Sequence, residues 1–443
     1  MCGIVAGFSD VSGILSAMRY RGDGRPSRTL ERGGAHLGHV RLAIRSLGPE
    51  SDQPVDVPEA RTSFGFVGEL FGLGGVSELG FLTSGVLNPE TLSDFLRAID
   101  GFFAVVTVSD TGTIRAFTDH LGIKPLYYWP SKGLVCSEIA PMFAAFPEPK
   151  LNNRHLAALV RFGFDYSGET PWEGIYQMPP GSELLMTRGS HRVRKYWDIA
   201  SEAVQYSNSV LAFKRRFNDA VLTRCDSDLP VSMLLSGGLD SSLIYYTLKN
   251  QGRHISAHSY PNGESEFLPP GVEMVEANPP SLCEAVAVMQ TPMDLGSLVP
   301  QVQLAQALEG KTRVVITGDG ADELFGGYTR SRTYDSQYAD TFLELPYYHL
   351  PRLDRVLMRS TIELRSPFLA PAIVRLALGL PREMRIDKAF LKLCAKGTVP
   401  DEIIDRPKHP LKTQAVITGK ETYREQLITI FRDSRPRHRV ASV

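Results

Sequence analysis

The sequence predicts an α/β protein in two parts, a β-rich domain over residues 1–198 and a parallel-sheet domain over residues 209–443. Three observations predict it. A chain of 443 residues exceeds what one ordinary hydrophobic core organises. The first part carries short apolar runs separated by turn residues at hairpin spacing. From residue 209 strands alternate with amphipathic helices, the pattern of a parallel sheet covered on both faces.

The chain opens on MCGIVAGFSD, which puts Cys2 directly after the initiator methionine. Once Met1 is removed, the α-amine of Cys2 lies beside its own thiol. An amine titrating at about pH 8 can act as general base for that thiol. Free cysteine also packs as a small hydrophobe, and this stretch alone does not separate the two. FFAVVTVSDTGTIRAFTD reads as two strands joined at Asp110-Thr111-Gly112, and GLVCSEIAPMFAAF as a strand running into a helix. MPPGSELLMTRGSHRVRKYWD is a closing hairpin, and the polar IASEAVQYSNSV after it is a linker. Beyond the linker VLAFKRRFNDAVLTR is a helix, PVSMLLS a buried strand, SSLIYYTLKN a helix and HISAHSY a strand. LVPQVQLAQALEG and TRVVITG repeat the helix–strand unit.

Composition narrows the class. Hydrophobic residues at 43% and charged residues at 22% are values of a soluble globular protein. Lys and Arg (48) balance Asp and Glu (49), so there is no basic surplus for nucleic acid or an anionic membrane. No apolar run approaches the ~18 residues of a membrane span, and no signal peptide is read at the N-terminus. Five scattered cysteines without a CxxC pair fit a reducing cytoplasm. A cytoplasmic protein with small-molecule partners is expected.

The strongest motif is LLSGGLDSS at 234–242, which follows a strand and opens a helix. There, backbone N–H groups and the helix dipole hold an anion. Gly237 and Gly238 let the backbone approach phosphate, Ser236, Ser241 and Ser242 add hydroxyls, and Asp240 suits a Mg²⁺ sharing the site. The loop lacks the Gly-Lys-Ser/Thr ending of a Walker motif. It is instead the pyrophosphatase type, found in enzymes that cleave ATP between its α and β phosphates. VVITGDGADELFGGY (314–328) clusters Asp319, Asp322 and Glu323 at the end of a second strand, where α/β sheets place ligands. Such hard oxygens suit Mg²⁺ beside a triphosphate.

With MCGIV, HVRLAI (39–44), DHLGIKPLYY (119–128), CSEI (136–139), LPRLDRVLMRSTIELRSPFL (350–369) and RPKHPLKT (406–413), these motifs resemble the asparagine synthetase family in order and spacing. The resemblance implies an N-terminal-nucleophile αββα glutaminase domain, followed by an ATP-pyrophosphatase domain of the adenine nucleotide α-hydrolase type. It implies Cys2 as glutaminase nucleophile, Arg41 as clamp on the glutamine carboxylate, Gly68 as backbone oxyanion donor and Glu69 beside it. Leu235, Ser236, Gly237, Gly238, Asp240, Ser241, Ser242, Gly318 and Asp319 would contact ATP, with Asp240 and Asp322 as Mg²⁺ ligands. Glu363 resembles a catalytic glutamate near the adenylate, and Lys408 a lysine that neutralises charge on the phosphates. The implied reaction charges a carboxylate, aspartate in the family, with AMP and amidates it with ammonia from glutamine. A homodimer is compatible with this.

The chain departs from the family in four places. Val67 stands where the family has an asparagine that donates to the oxyanion. No acid occupies the expected glutamine-amine position near FLTSGVLNPETL, Glu90 and Asp94 being approximate substitutes. The segment between HISAHSY and LVPQVQLAQ is short and proline-rich, and PFLA replaces PFLD. The departures favour, as an alternative, relatives that join a carboxylate to an amine in the same substrate, such as β-lactam synthetases and lasso-peptide cyclases.

Overall fold

The computed structural model describes residues 2–203, 210–261, 264–276, 278–293, 297–328, 334–406 and 420–434. Two six-stranded antiparallel sheets stack in the amino-terminal part. One runs in the order Tyr176–Gln177, Tyr127–Trp129, Leu134–Cys136, Gly3–Gly7, Ala35–Val40, Arg28–Arg32. The other runs Ser190–Lys195, Ser182–Thr187, Ile114–Thr118, Asp100–Ser109, Thr62–Phe71, Val55–Val57. Ile4, Val67, Ala104, Val106 and Leu184 interdigitate between them, the alternation of inward apolar residues expected of a sandwich. The Ser12–Ala17 helix packs on the first sheet and the Glu78–Val86 helix on the second, which completes four layers.

The hairpin at Asp110-Thr111-Gly112 forms as the sequence predicts, joining Asp100–Ser109 to Ile114–Thr118. One expectation is corrected. After Leu134–Cys136 the chain makes a five-residue 3-10 turn, Ala140–Ala144, rather than an α-helix. Pro141 is the second residue of that turn, which is too short to develop α-helical bonding. The linker begins with a 3-10 turn at Ile199–Glu202.

In the carboxyl-terminal part five strands are all parallel, in the order Glu273–Met274, Ser256–Ser259, Val231–Leu234, Val314–Ile316, Glu363–Arg365. The chain leaves Val231–Leu234 through the Leu239–Asn250 helix toward one edge. It later returns through the Leu298–Leu308 helix toward the other. Right-handed crossovers in opposite directions place these helices on opposite faces. The order therefore reverses between Val231–Leu234 and Val314–Ile316, and a crevice forms outside their carboxyl ends. The proline-rich segment still builds a helix, Leu282–Met289, held by a Ser281–Glu284 capping box. No helix among the described residues is long and apolar enough to cross a membrane.

Candidate active site

The crevice holds a cavity of about 880 Å³. On one side the Leu239–Asn250 helix begins at Gly238 with no side-chain cap, so its first N–H groups remain available to an anion. The loop before it is wired internally, with Ser236 and Ser241 hydroxyls 3.1 Å apart and the Gly238 N–H donating to Ser236 Oγ at 3.1 Å. Gly318 of the second turn is pressed against this loop. A Cβ there would lie 2.9 Å from Asp240 Cβ and 3.0 Å from the Ser241 nitrogen, which explains the glycine. Leu235, Ser236, Gly238, Asp240, Ser241, Gly318, Asp319 and Asp322 all line the cavity. Gly237 and Ser242 stand behind the lining: the Gly237 carbonyl accepts from Arg406, and Ser242 is buried.

Asp240 and Asp322, from two different turns, converge on one cation. Lys388 Nζ lies 2.5 Å from an Asp240 oxygen and 2.6 Å from Asp322 Oδ1. Lys388 is buried, and the two carboxylates raise its pKa against the opposing effect of burial. The sequence held no local signal for it. Asp387 and Lys388 both adopt left-handed backbone (φ 51° and 58°), a conformation held only where surroundings demand it. Lys408 lies outside the described residues.

Glu363 is not part of the cavity lining. Along its strand only Leu364 points into the cavity, and alternation turns Glu363 and Arg365 to the other side. Both are fully buried. Arg365 Nε donates to Glu363 at 2.8 Å and Nη1 donates to the Arg224 and Asp226 carbonyls at 2.9 and 2.7 Å, while Nη2 lies 3.2 Å from Glu69. Glu363 thus lies behind the cavity lining, bonded to Arg365 where the two halves meet.

Glu69 belongs to a second, smaller pocket of about 30 Å³ lined also by Cys2, Arg41, Gln53, Gly68 and Glu78. Cys2 Sγ donates weakly to the Leu42 carbonyl at 3.9 Å. Burial pushes this thiol up, against the opposing hydrogen bond to the Leu42 carbonyl and the charge of Arg41. Gly68 has φ 122°, and a Cβ there would sit 1.9 Å from the Phe102 carbonyl oxygen. No other residue fits. Arg41 donates to the Gly48 carbonyl at 2.7 Å, to Asp52 at 2.8 Å and to the Ser46 carbonyl, so its fork is tied to its own loop. Val67 is buried in the apolar cluster against which Cys2 packs. Glu90 and Asp94 are exposed and outside the pocket. The pocket's further acid is Glu78, which accepts the Leu70 N–H at 2.7 Å and is pushed by burial up to about 7.

The two halves meet on a buried charge knot. Arg21 bonds Glu138, donates to Asp354 at 2.8 Å and reaches the Cys2 carbonyl at 3.1 Å. Lys124 adds a 3.2 Å contact to Asp354.

Fold and pockets together define the class of two-domain proteins in which an amidotransferase half precedes an ATP-using half. Within that class the chain belongs to the asparagine synthase family: the asparagine synthase model matches residues 212–266, 273–346 and 330–441, and a glutamine amidotransferase domain matches 88–197. An asparagine synthetase (glutamine-hydrolyzing) of Bacillus subtilis is 24% identical over 76% of this chain and 72% of its own length. An amidase of Gibberella zeae is 26% identical over 67% of this chain and 52% of its own. A carboxyethyl-arginine beta-lactam-synthase of Streptomyces clavuligerus is 25% identical over 70% of this chain and 64% of its own. The chain thus spans between about half and three quarters of these relatives' lengths.

Proposed function

We propose that the chain is a glutamine-dependent amide synthetase, with aspartate as first candidate acceptor and asparagine as product. A substrate carboxylate oxygen attacks the α-phosphorus of ATP and pyrophosphate leaves. Ammonia freed from glutamine at Cys2 then attacks the acyl carbon, and AMP leaves. The observation that carries this is the convergence of Asp240 and Asp322 on one cation beside an uncapped helix start, in a chain that also forms a pocket around Cys2.

Asp240 and Asp322 fit Mg²⁺, since two hard carboxylates already share a cation, and they would hold the ion that neutralises charge on the triphosphate. Among the described residues no three His, Cys, Asp or Glu side chains form a metal centre, so phosphate oxygens and water would complete the shell. The Leu239–Asn250 helix start takes phosphate oxygens, and Lys388 holds the two acids in place. Glu363 keeps Oε2 buried with no hydrogen-bond partner among the described residues, on the side toward Cys2. That oxygen can accept the proton that ammonia loses on becoming an amide nitrogen. Lys408 remains the proposed charge-neutralising lysine.

Incubation with MgATP, aspartate and either glutamine or ammonium, with pyrophosphate and asparagine measured, tests the proposal. Pyrophosphate release with both nitrogen sources is expected. No carboxylate-dependent release and no exchange of labelled pyrophosphate into ATP would refute it. The ring-closing alternative is favoured by one observation, the apolar Val67 buried in the cluster against which Cys2 packs. It predicts no release with aspartate but release with a peptide or β-amino acid whose own amine can close on the activated carboxylate.

Glu78 is the proposed partner for the glutamine ammonium, which needs its ionised form. With its carboxyl at about 7, that form is lost as pH falls through neutrality. The KM for glutamine should therefore rise below pH 7, by up to about tenfold per unit. Steady-state kinetics across that range, with a flat profile in Glu78→Gln, checks it.

A further inference from the structure

We propose that Gln53 donates the second hydrogen bond of the oxyanion hole in the Cys2 pocket, in place of the asparagine this chain lacks; the proposal rests on the glutaminase reading above. Two backbone facts locate the first donor. Phe103 lies opposite Gly68, yet the Phe103 N–H donates to the Asp119 carboxylate at 3.0 Å and its carbonyl accepts the Asp119 N–H at 3.0 Å. Gly68 and Phe103 therefore form a non-hydrogen-bonded pair, and the Gly68 N–H points away from Asp100–Ser109. On that other edge the Val55–Val57 strand pairs only with Thr62–Phe64. Beyond Phe64 the edge is open, and the Cys2 pocket lies there.

Gln53 takes up this edge. Its Oε1 accepts the Phe66 N–H at 2.6 Å, two residues before Gly68 and on the same edge, about 7 Å from it. The Phe66 carbonyl is capped from the same side by His39 Nε2 at 3.1 Å. Gln53 is only 5% exposed and lines the pocket with Cys2 and Gly68. Because its oxygen is fixed on Phe66, its orientation is fixed, and its NH₂ group has no hydrogen-bond partner among the described residues. A carboxamide donor left open on the wall of a pocket that also holds a thiol is placed to meet a ligand bound there. Val67 offers methyl groups and no donor.

When Cys2 Sγ attacks the glutamine side-chain carbonyl, the S–C bond forms and the π pair moves onto oxygen. Gly68 N–H and Gln53 Nε2–H then hold that oxyanion. Collapse expels ammonia, which takes the proton the α-amine removed from the thiol, and water hydrolyses the thioester. One oxyanion donor is worth on the order of 100- to 1000-fold in rate.

Three proteins decide it: wild type, Gln53→Leu, and Gln53→Leu combined with Val67→Asn. Glutamate release from glutamine and ammonium-supported pyrophosphate release are measured on each. Gln53→Leu should lower kcat for glutamine about 100-fold or more with KM within about threefold, while ammonium-supported release stays within about twofold. Val67→Asn should restore at least about tenfold of that loss, because an amide at 67 replaces the donor but not the Phe66 contact. Unchanged glutaminase in Gln53→Leu, an equal fall with ammonium, or no rescue by Val67→Asn would each overturn the proposal. A wild type that releases no glutamate overturns the glutaminase reading as well, and its ammonium-supported release shows separately whether the synthetase reading stands.

Discussion

Cys2→Ala is expected to reduce glutamine-dependent amide formation by about 10⁴-fold or more, while ammonium-dependent formation stays within about twofold of wild type. The size follows from removing the atom that carries the acyl group, which no neighbouring residue replaces. The selectivity follows from what the thiol does structurally, which is little. Among the described residues its one polar contact is the 3.9 Å approach to the Leu42 carbonyl, and the Cys2 carbonyl that anchors Arg21 is retained in alanine. Parallel assays with glutamine and ammonium, following pyrophosphate and amide product, decide the matter. Equal loss with both nitrogen sources would make Cys2 a packing residue.

The second large effect concerns stability. Asp354→Ala should destabilise the protein by about 3–5 kcal/mol, because it leaves Arg21 and Lys124 buried without their shared carboxylate. Burial alone would raise the Asp354 pKa, but Arg21 and Lys124 outweigh it and hold the carboxyl at about 2. A depressed carboxyl contributes its stability above its unfolded value and loses it as pH falls through the folded one. Acid titration of the wild type should therefore show stability falling between about pH 4 and pH 2, a component that Asp354→Ala lacks. Denaturant unfolding followed by fluorescence at pH 7 and pH 3 measures both. A shift under 1 kcal/mol at pH 7 would mean that water or rearranged partners satisfy the two cations.

What was legible in the sequence was local. The Gly237–Gly238 loop and the Asp319–Asp322 turn announce themselves because each is contiguous and sits between a strand and a helix. The helix Val210–Arg224 follows VLAFKRRFNDAVLTR residue for residue. The residues that reasoning from sequence missed are supplied by topology. Lys388 is 148 positions from Asp240, and Arg365 meets Glu69 across the boundary between halves. Glu90 and Asp94, the approximate substitutes the resemblance offered, are exposed, while Glu78 lines the Cys2 pocket. Glu363 was reached through its motif alone, which carries no information on the face it takes. Strand alternation beside the cavity-facing Leu364 decides that face, and motif matching does not see it.

The Lys420–Ser434 helix has a consequence for biosynthesis. It places Leu427 and Phe431 in the same apolar cluster as Val5, Trp129 and Trp172, with the Phe431 and Trp172 rings 5.3 Å apart. A helix far along the chain is thus a wall of the amino-terminal domain. During translation that domain waits with tryptophan surface uncovered until the Lys420–Ser434 segment has been made, a window in which a chaperone, or a second nascent copy, competes for the same patch.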